Sequence, residues 1–169
     1  ELTGKSAPEM EPRVAHVKCA GSVDKAAKVY NYEGIQDCFA ASLMQGGQKG
    51  CQYGCLGFGN CAKACPFDAL SMGENGLPIV NLNKCTGCGK CETICPKKVI
   101  EMMPIGAHVS VNCNSKDKGA QARKVCTISC LGCGICGKNC PHGAIKIENN
   151  LAVVDSHICY EKCTEPTCI

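Results

Sequence analysis

Tryptophan is absent from this 169-residue chain, and three phenylalanines and four tyrosines make up its aromatics. So small a stock leaves little for an ordinary hydrocarbon core and argues against a base-stacking surface for nucleic acid. No run of about 18 apolar residues occurs, so no direct membrane insertion is expected. A glycine-rich phosphate loop, a GxGxxG after a strand and a Ser/His/Asp arrangement are also missing, and no secretory apolar region opens the chain. Nucleotide chemistry and hydrolysis therefore lose their usual carriers.

What is abundant is cysteine, at nineteen residues. A content that high means either a disulfide scaffold or a metal scaffold. The count is odd and the spacings are those of cluster ligands, which favours metal and a reducing compartment. Cys85 to Pro96, CTGCGKCETICP, is the bacterial ferredoxin run for a [4Fe–4S] cluster: three cysteines two residues apart, a fourth after three more, and a closing proline. Gly87 and Gly89 are expected to let the backbone approach the cluster. In paired ferredoxins the cysteine before the proline serves the other cluster, so the run implies a partner.

The partner is found by an internal repeat. Shifted by 75 positions, Cys51 to Pro66 falls without gaps on Cys126 to Pro141: Cys51, Cys55, Cys61 and Cys65 land on Cys126, Cys130, Cys136 and Cys140, and Cys38 lands on Cys113. The reading is a small α+β fold of tandem 2[4Fe–4S] ferredoxin-like units, with short hairpins and helices around the clusters. Residues 1–12 form a linker, 13–104 the first unit and 105–169 a second unit cut short. A chain that opens on Glu1 and closes at Ile169 inside a cysteine run is expected to be part of something longer.

Local patterns fill in the units. Arg13 to Cys19 alternates as a strand, and Tyr32 to Gln45 has helical spacing stopped by Gly46-Gly47. Hairpins are expected from Ala69–Met72 with Leu77–Leu82, and from Ala144–Ile147 with Leu151–Val154. They would bring the two cysteine runs of a unit face to face. Phe58 stands where the second copy has Cys133, so Cys51 is expected to supply the third nearby thiolate. The ligand sets are then Cys51, Cys55, Cys61 with Cys95, and Cys85, Cys88, Cys91 with Cys65. In the second unit they are Cys159, Cys163, Cys168 with Cys140, and Cys130, Cys133, Cys136 with a fourth ligand beyond Ile169 or, failing that, Cys126 or Cys113. Cys19 and Cys38 read as small buried hydrophobes.

The formal charge is +3, but an oxidised cubane with four thiolates carries about −2, so four clusters would bring the chain to about −5. Lys49, Lys63, Lys84, Lys90, Lys97, Lys98, Lys124 and Lys138 beside the runs then compensate local negative charge or dock an acidic redox partner. His16, His108, His142 and His157 are scattered singly; His142 is the one beside a run, placed to donate to a cluster sulfur. All-cysteine cubanes leave electron transfer as the available chemistry. Rival readings are a polyferredoxin of a soluble hydrogenase or formate dehydrogenase, an enzyme with an open iron at Cys130/Cys133/Cys136, and a zinc-held interaction module.

The stretches VKCAGS, YEGIQDCFAA, GCQYGCLGFGNCAKACPFDAL, VNCNSKDKGAQARKVC and NNLAVVD resemble the cytoplasmic region of B subunits of the Rnf (Rsx) complexes, from about Arg13 to Cys168. That resemblance implies a subunit that takes electrons from reduced ferredoxin and passes them to other subunits of a membrane complex reducing NAD and pumping sodium ions or protons. It also implies a place on the cytoplasmic face of the bacterial inner membrane, with flavin and nicotinamide sites elsewhere in the complex.

Overall fold

The computed structural model describes residues 12–107 and 109–163; the expected linker, His108 and Cys168 lie outside them, apart from Pro12. Alternation in RVAHV gives β1 (Arg13–Val17), which buries Val14 and Ala15. Its partner is β4 (Ile100–Pro104), antiparallel with Val17 opposite Ile100 and Arg13 opposite Pro104. The pair brings the start of the first unit onto its end. Lys18 and Glu101 close one edge with an ion pair at 2.8 Å.

Between these strands lie α1 (Cys38–Leu43), α2 (Asn60–Lys63), β2 (Leu70–Met72), β3 (Pro78–Val80) and α3 (Lys90–Thr93). The second unit adds α4 (Gly119–Val125), α5 (Ile135–Asn139), β5 (Ile145–Glu148), β6 (Leu151–Val154) and α6 (Ser156–Lys162). The hairpins β2–β3 and β5–β6 form where the turn chemistry places them, Asn149 and Asn150 both taking positive φ in the second.

The helix expected over Tyr32 to Gln45 is shorter. Asp37 caps α1 by accepting the Ala40 amide at 2.9 Å, so the segment before it cannot continue the helix. Ile35 and Leu43, at 75% and 85% exposure, do not pack as core, and Ala41 is the buried residue of α1. β4, α4 and α6 are elements that the local patterns do not announce.

Three of the four cysteine runs repeat one backbone device. Gly57, Gly87 and Gly132, which follow Cys55, Cys85 and Cys130 by two residues, have φ of +86, +69 and +64°. A Cβ on them would stand 3.0, 2.4 and 2.5 Å from the carbonyl oxygens of Gly76, Arg13 and Asn150. Each of these glycines is required by a close approach of backbone to backbone. Two residues on, Gly59, Gly89 and Gly134 begin α2, α3 and α5 in the left-handed region. That conformation suits glycine; of the cysteines that follow, Cys61 and Cys91 are buried and Cys136 is half-buried.

The main apolar cluster joins Ala15, Leu70, Leu77, Val99 and Ile100 to Cys55, Cys61 and Cys91. Val99 and Ile100 are its largest fully buried side chains. With so little hydrocarbon inside, folding leans on whatever the thiols bind.

Candidate metal centres

Crossed pairing of the runs is visible in the cavities the thiols line. Cys65 shares one with Cys85, Cys88 and Cys91, beneath Phe67, Leu70 and Met102. The Ala15 amide donates to Cys85 Sγ at 3.4 Å and the Ala69 amide to Cys65 Sγ at 3.3 Å. Amides directed at sulfur favour the thiolate that a metal needs. Burial pushes the Cys91 thiol up to about 11, so at neutral pH it must lose a proton to bind.

A second cavity is lined by Cys38, Cys55, Cys61 and Cys95. The structure therefore brings three of the expected four together and replaces Cys51 with Cys38. The reason is local: Asn60 accepts the Cys38 amide at 2.9 Å and donates to Asp37 at 2.5 Å, which turns the start of α1 toward α2. Cys38 thus stands beside Cys55, Cys61 and Cys95 in the run where Phe58 supplies no thiol. Burial raises Cys61 to about 11, with the Cys38 and Cys95 sulfurs adding to the rise, and raises Cys55 to about 12. Sequence spacing missed Cys38 because it stands 17 residues before Cys55 in a helix of its own.

In the second unit Cys140 packs against Cys159 and Cys163, with Ala144 and Val154. Cys159 lies on α6 and Cys163 caps it, which accounts for their wider spacing. Desolvation alone would raise Cys140, but the amides of Ala144, His142, Ile145 and Gly143 face its sulfur and hold it below the ordinary thiol range. The backbone amide of His142 is among those that face this sulfur, and His142 is an exposed residue. Cys130 and Cys136 are half-buried and Cys133 is exposed, on the loop into α5 and its first turn.

Cys51, displaced from the expected set, lines a third cavity with Cys19, Cys113 and Cys126. Cys19, expected as a small buried hydrophobe, and Cys126, expected as a substitute ligand, thus stand together with Cys51 and Cys113. Among the described residues no three His, Cys, Asp or Glu side chains close on a single ion. Ligands of a cubane each take a different iron and need no such convergence. The donor set, all sulfur with amides aimed at it and flanked by left-handed glycines, fits [4Fe–4S] clusters.

Comparison with known proteins agrees. The 4Fe-4S dicluster domain family matches residues 49–100 and again 84–144. The B subunit of the proton-translocating ferredoxin:NAD(+) oxidoreductase complex of Clostridium ljungdahlii is 61% identical over 169 residues, the whole of this chain and 59% of that protein. Its counterpart in the Na(+)-translocating ferredoxin:NAD(+) oxidoreductase complex of Acetobacterium woodii is 46% identical over 98% of the chain and 48% of its own length. The B subunit of the ion-translocating oxidoreductase complex of Methanosarcina acetivorans is 42% identical over 96% of the chain and 60% of its own length. The chain thus spans about half to three-fifths of the curated relatives it matches. With its α+β hairpin architecture and two matches to 4Fe-4S dicluster domains, the chain is a homologue of these B subunits over the part of their length that it spans.

Proposed function

We propose that this chain carries single electrons from reduced ferredoxin toward the other subunits of a membrane complex that reduces NAD and pumps sodium ions or protons. The observation that carries the reading is the gathering of Cys65 with Cys85, Cys88 and Cys91, thiols distant in sequence and contributed by two runs. When bound, a cubane on four thiolates supplies the gain and loss of one electron and leaves no iron open to substrate. Cys38, Cys55, Cys61 and Cys95 would hold one such group, and Cys65, Cys85, Cys88 and Cys91 a second. Cys140, Cys159, Cys163 and Cys168 would hold a third, and Cys130, Cys133 and Cys136 three corners of a fourth.

The protein's part is to orient these thiols, direct amides at their sulfurs and exclude water with Leu70, Val99 and Ile100. Division into units of residues 13–104 and 105–169 follows the repeat. Among the described residues no helix is long and apolar enough to cross a membrane. Identity with three B subunits across nearly the whole chain supports the choice of complex.

Anaerobic iron and sulfide quantification with an EPR redox titration tests this. Iron and sulfide in equal amounts, with one-electron signals appearing on addition of reduced ferredoxin, are expected. Zinc in place of iron ends the reading.

A further inference from the structure

We infer that Cys19, Cys51, Cys113 and Cys126 hold an additional [4Fe–4S] cluster at the junction of the two units, with Lys49 balancing its charge. The inference rests on the iron–sulfur reading above but adds a site that lies outside the ferredoxin-type runs. Its four thiols line one cavity and come from four segments, two in each unit. A Cβ at Gly21 would stand 3.5 Å from Cys126 Sγ and 3.7 Å from Cys19 Sγ, so these two sulfurs flank one point.

The two units contribute in matching fashion. The Cys55 amide donates to Cys19 Sγ at 3.4 Å, and the Cys130 amide, 75 positions later, donates to Cys113 Sγ at 3.4 Å. Cys19 is therefore the spatial counterpart of Cys113, and Cys51 of Cys126. Four thiols, one for each iron corner, are what a cubane requires.

Two further side chains on the cavity wall lack the partner that burial demands. Lys49 is 3% exposed, donates to the Gly21 carbonyl at 2.7 Å and belongs to neither ion pair found among the described residues. A buried ammonium without a counter-charge is costly, and a cluster of about −2 supplies one. Ser129 Oγ lines the same cavity, fully buried and without a hydrogen-bond partner. A hydroxyl there has a sulfide or thiolate to donate to once the cluster is present.

Crystals of the iron-loaded, full-length protein grown anaerobically, with an anomalous difference map at the iron edge, test this directly. Iron amid Cys19, Cys51, Cys113 and Cys126 is expected, together with iron at Cys65, Cys85, Cys88 and Cys91. Iron at the latter set and none at the junction overturns this inference alone; iron at neither overturns the electron-transfer reading as well. A lone zinc, or a two-iron cluster, at the junction also overturns it. In solution, Cys113→Ala and Gly21→Leu, the second leaving every cysteine in place, should each lower iron and sulfide by about four per chain. Both should keep the EPR signals that Cys88→Ala removes. Unchanged iron in both variants contradicts the assignment.

Discussion

Asn60 holds Cys38 in place: its side-chain oxygen accepts the Cys38 amide at 2.9 Å while its nitrogen donates to Asp37 at 2.5 Å. One side chain on α2 thereby fixes the start of α1 over the sulfurs of Cys55 and Cys61. Cys38→Ala should therefore perturb the EPR signal of the group held by Cys55, Cys61 and Cys95, whereas Cys51→Ala should leave it intact. The reverse result would restore the assignment that spacing alone suggests. Asn60→Ala should cost about 1 kcal/mol through its lost hydrogen bonds and broaden the same signal, read by thermal melting and EPR.

Gly87 and Gly89 share a left-handed backbone, but their surroundings differ. A Cβ at Gly87 meets the Arg13 carbonyl at 2.4 Å, while one at Gly89 meets nothing within 4 Å. Gly89→Ala should cost about 1 kcal/mol, the ordinary penalty for an L-residue at positive φ. Gly87→Ala should cost more, because Arg13 at the start of β1 has to move away from the loop that carries Gly87. Thermal unfolding of the two loaded variants measures the difference.

Loading should depend on pH. Without metal, burial holds Cys61 and Cys91 up at about 11 and Cys55 at about 12, so these thiols carry protons throughout the neutral range. Ligation removes those protons, and apparent affinity for iron should rise as pH increases from about 6 to about 9. Anaerobic reconstitution at fixed iron and sulfide, followed by absorbance, checks the direction; the accompanying proton release can be followed in weak buffer.

His16 gives the opposite end of the pH scale. Burial lowers its pKa, Glu101 opposes this and Lys18 adds to the lowering; its Nε2 is buried without a hydrogen-bond partner. A histidine that is harder to protonate in the folded state contributes stability above its unfolded pKa of about 6.5. That contribution is lost as pH falls through the lowered folded value. Wild type should lose melting temperature faster than His16→Leu as pH falls from about 7 to about 5.

The cysteine runs were legible because a cubane dictates short spacings and leaves them in the sequence. The hairpins were legible because turn-forming residues, Gly73-Glu74-Asn75-Gly76 in the first and Asn149-Asn150 in the second, separate their apolar segments. Cys38, Cys19 and Cys113 were not. They reach their cavities through tertiary contacts: the Asn60 clasp for Cys38, and amides of distant cysteines for the other two. The 75-residue register even misled, pairing Cys113 with Cys38 when the Cys130 and Cys55 amides match it to Cys19. β4 went unseen because IEMMP lacks alternation and is held by β1 rather than by its own pattern.

The strand-like crossing between the units has a mechanical consequence. Ala26 bridges Cys126, the Ala27 amide donates to Val125, the Thr127 amide to Lys25 and the Ala20 amide to Asn112. Backbone from before the first run is thus stitched to backbone before the third, bypassing the connection near residue 104. Backbone bonds of this kind oppose a swivel between the halves. With the proposed clusters bound, their spacing would be set once, when the chain folds, and an electron crossing the seam would not have to wait for one half to swing toward the other.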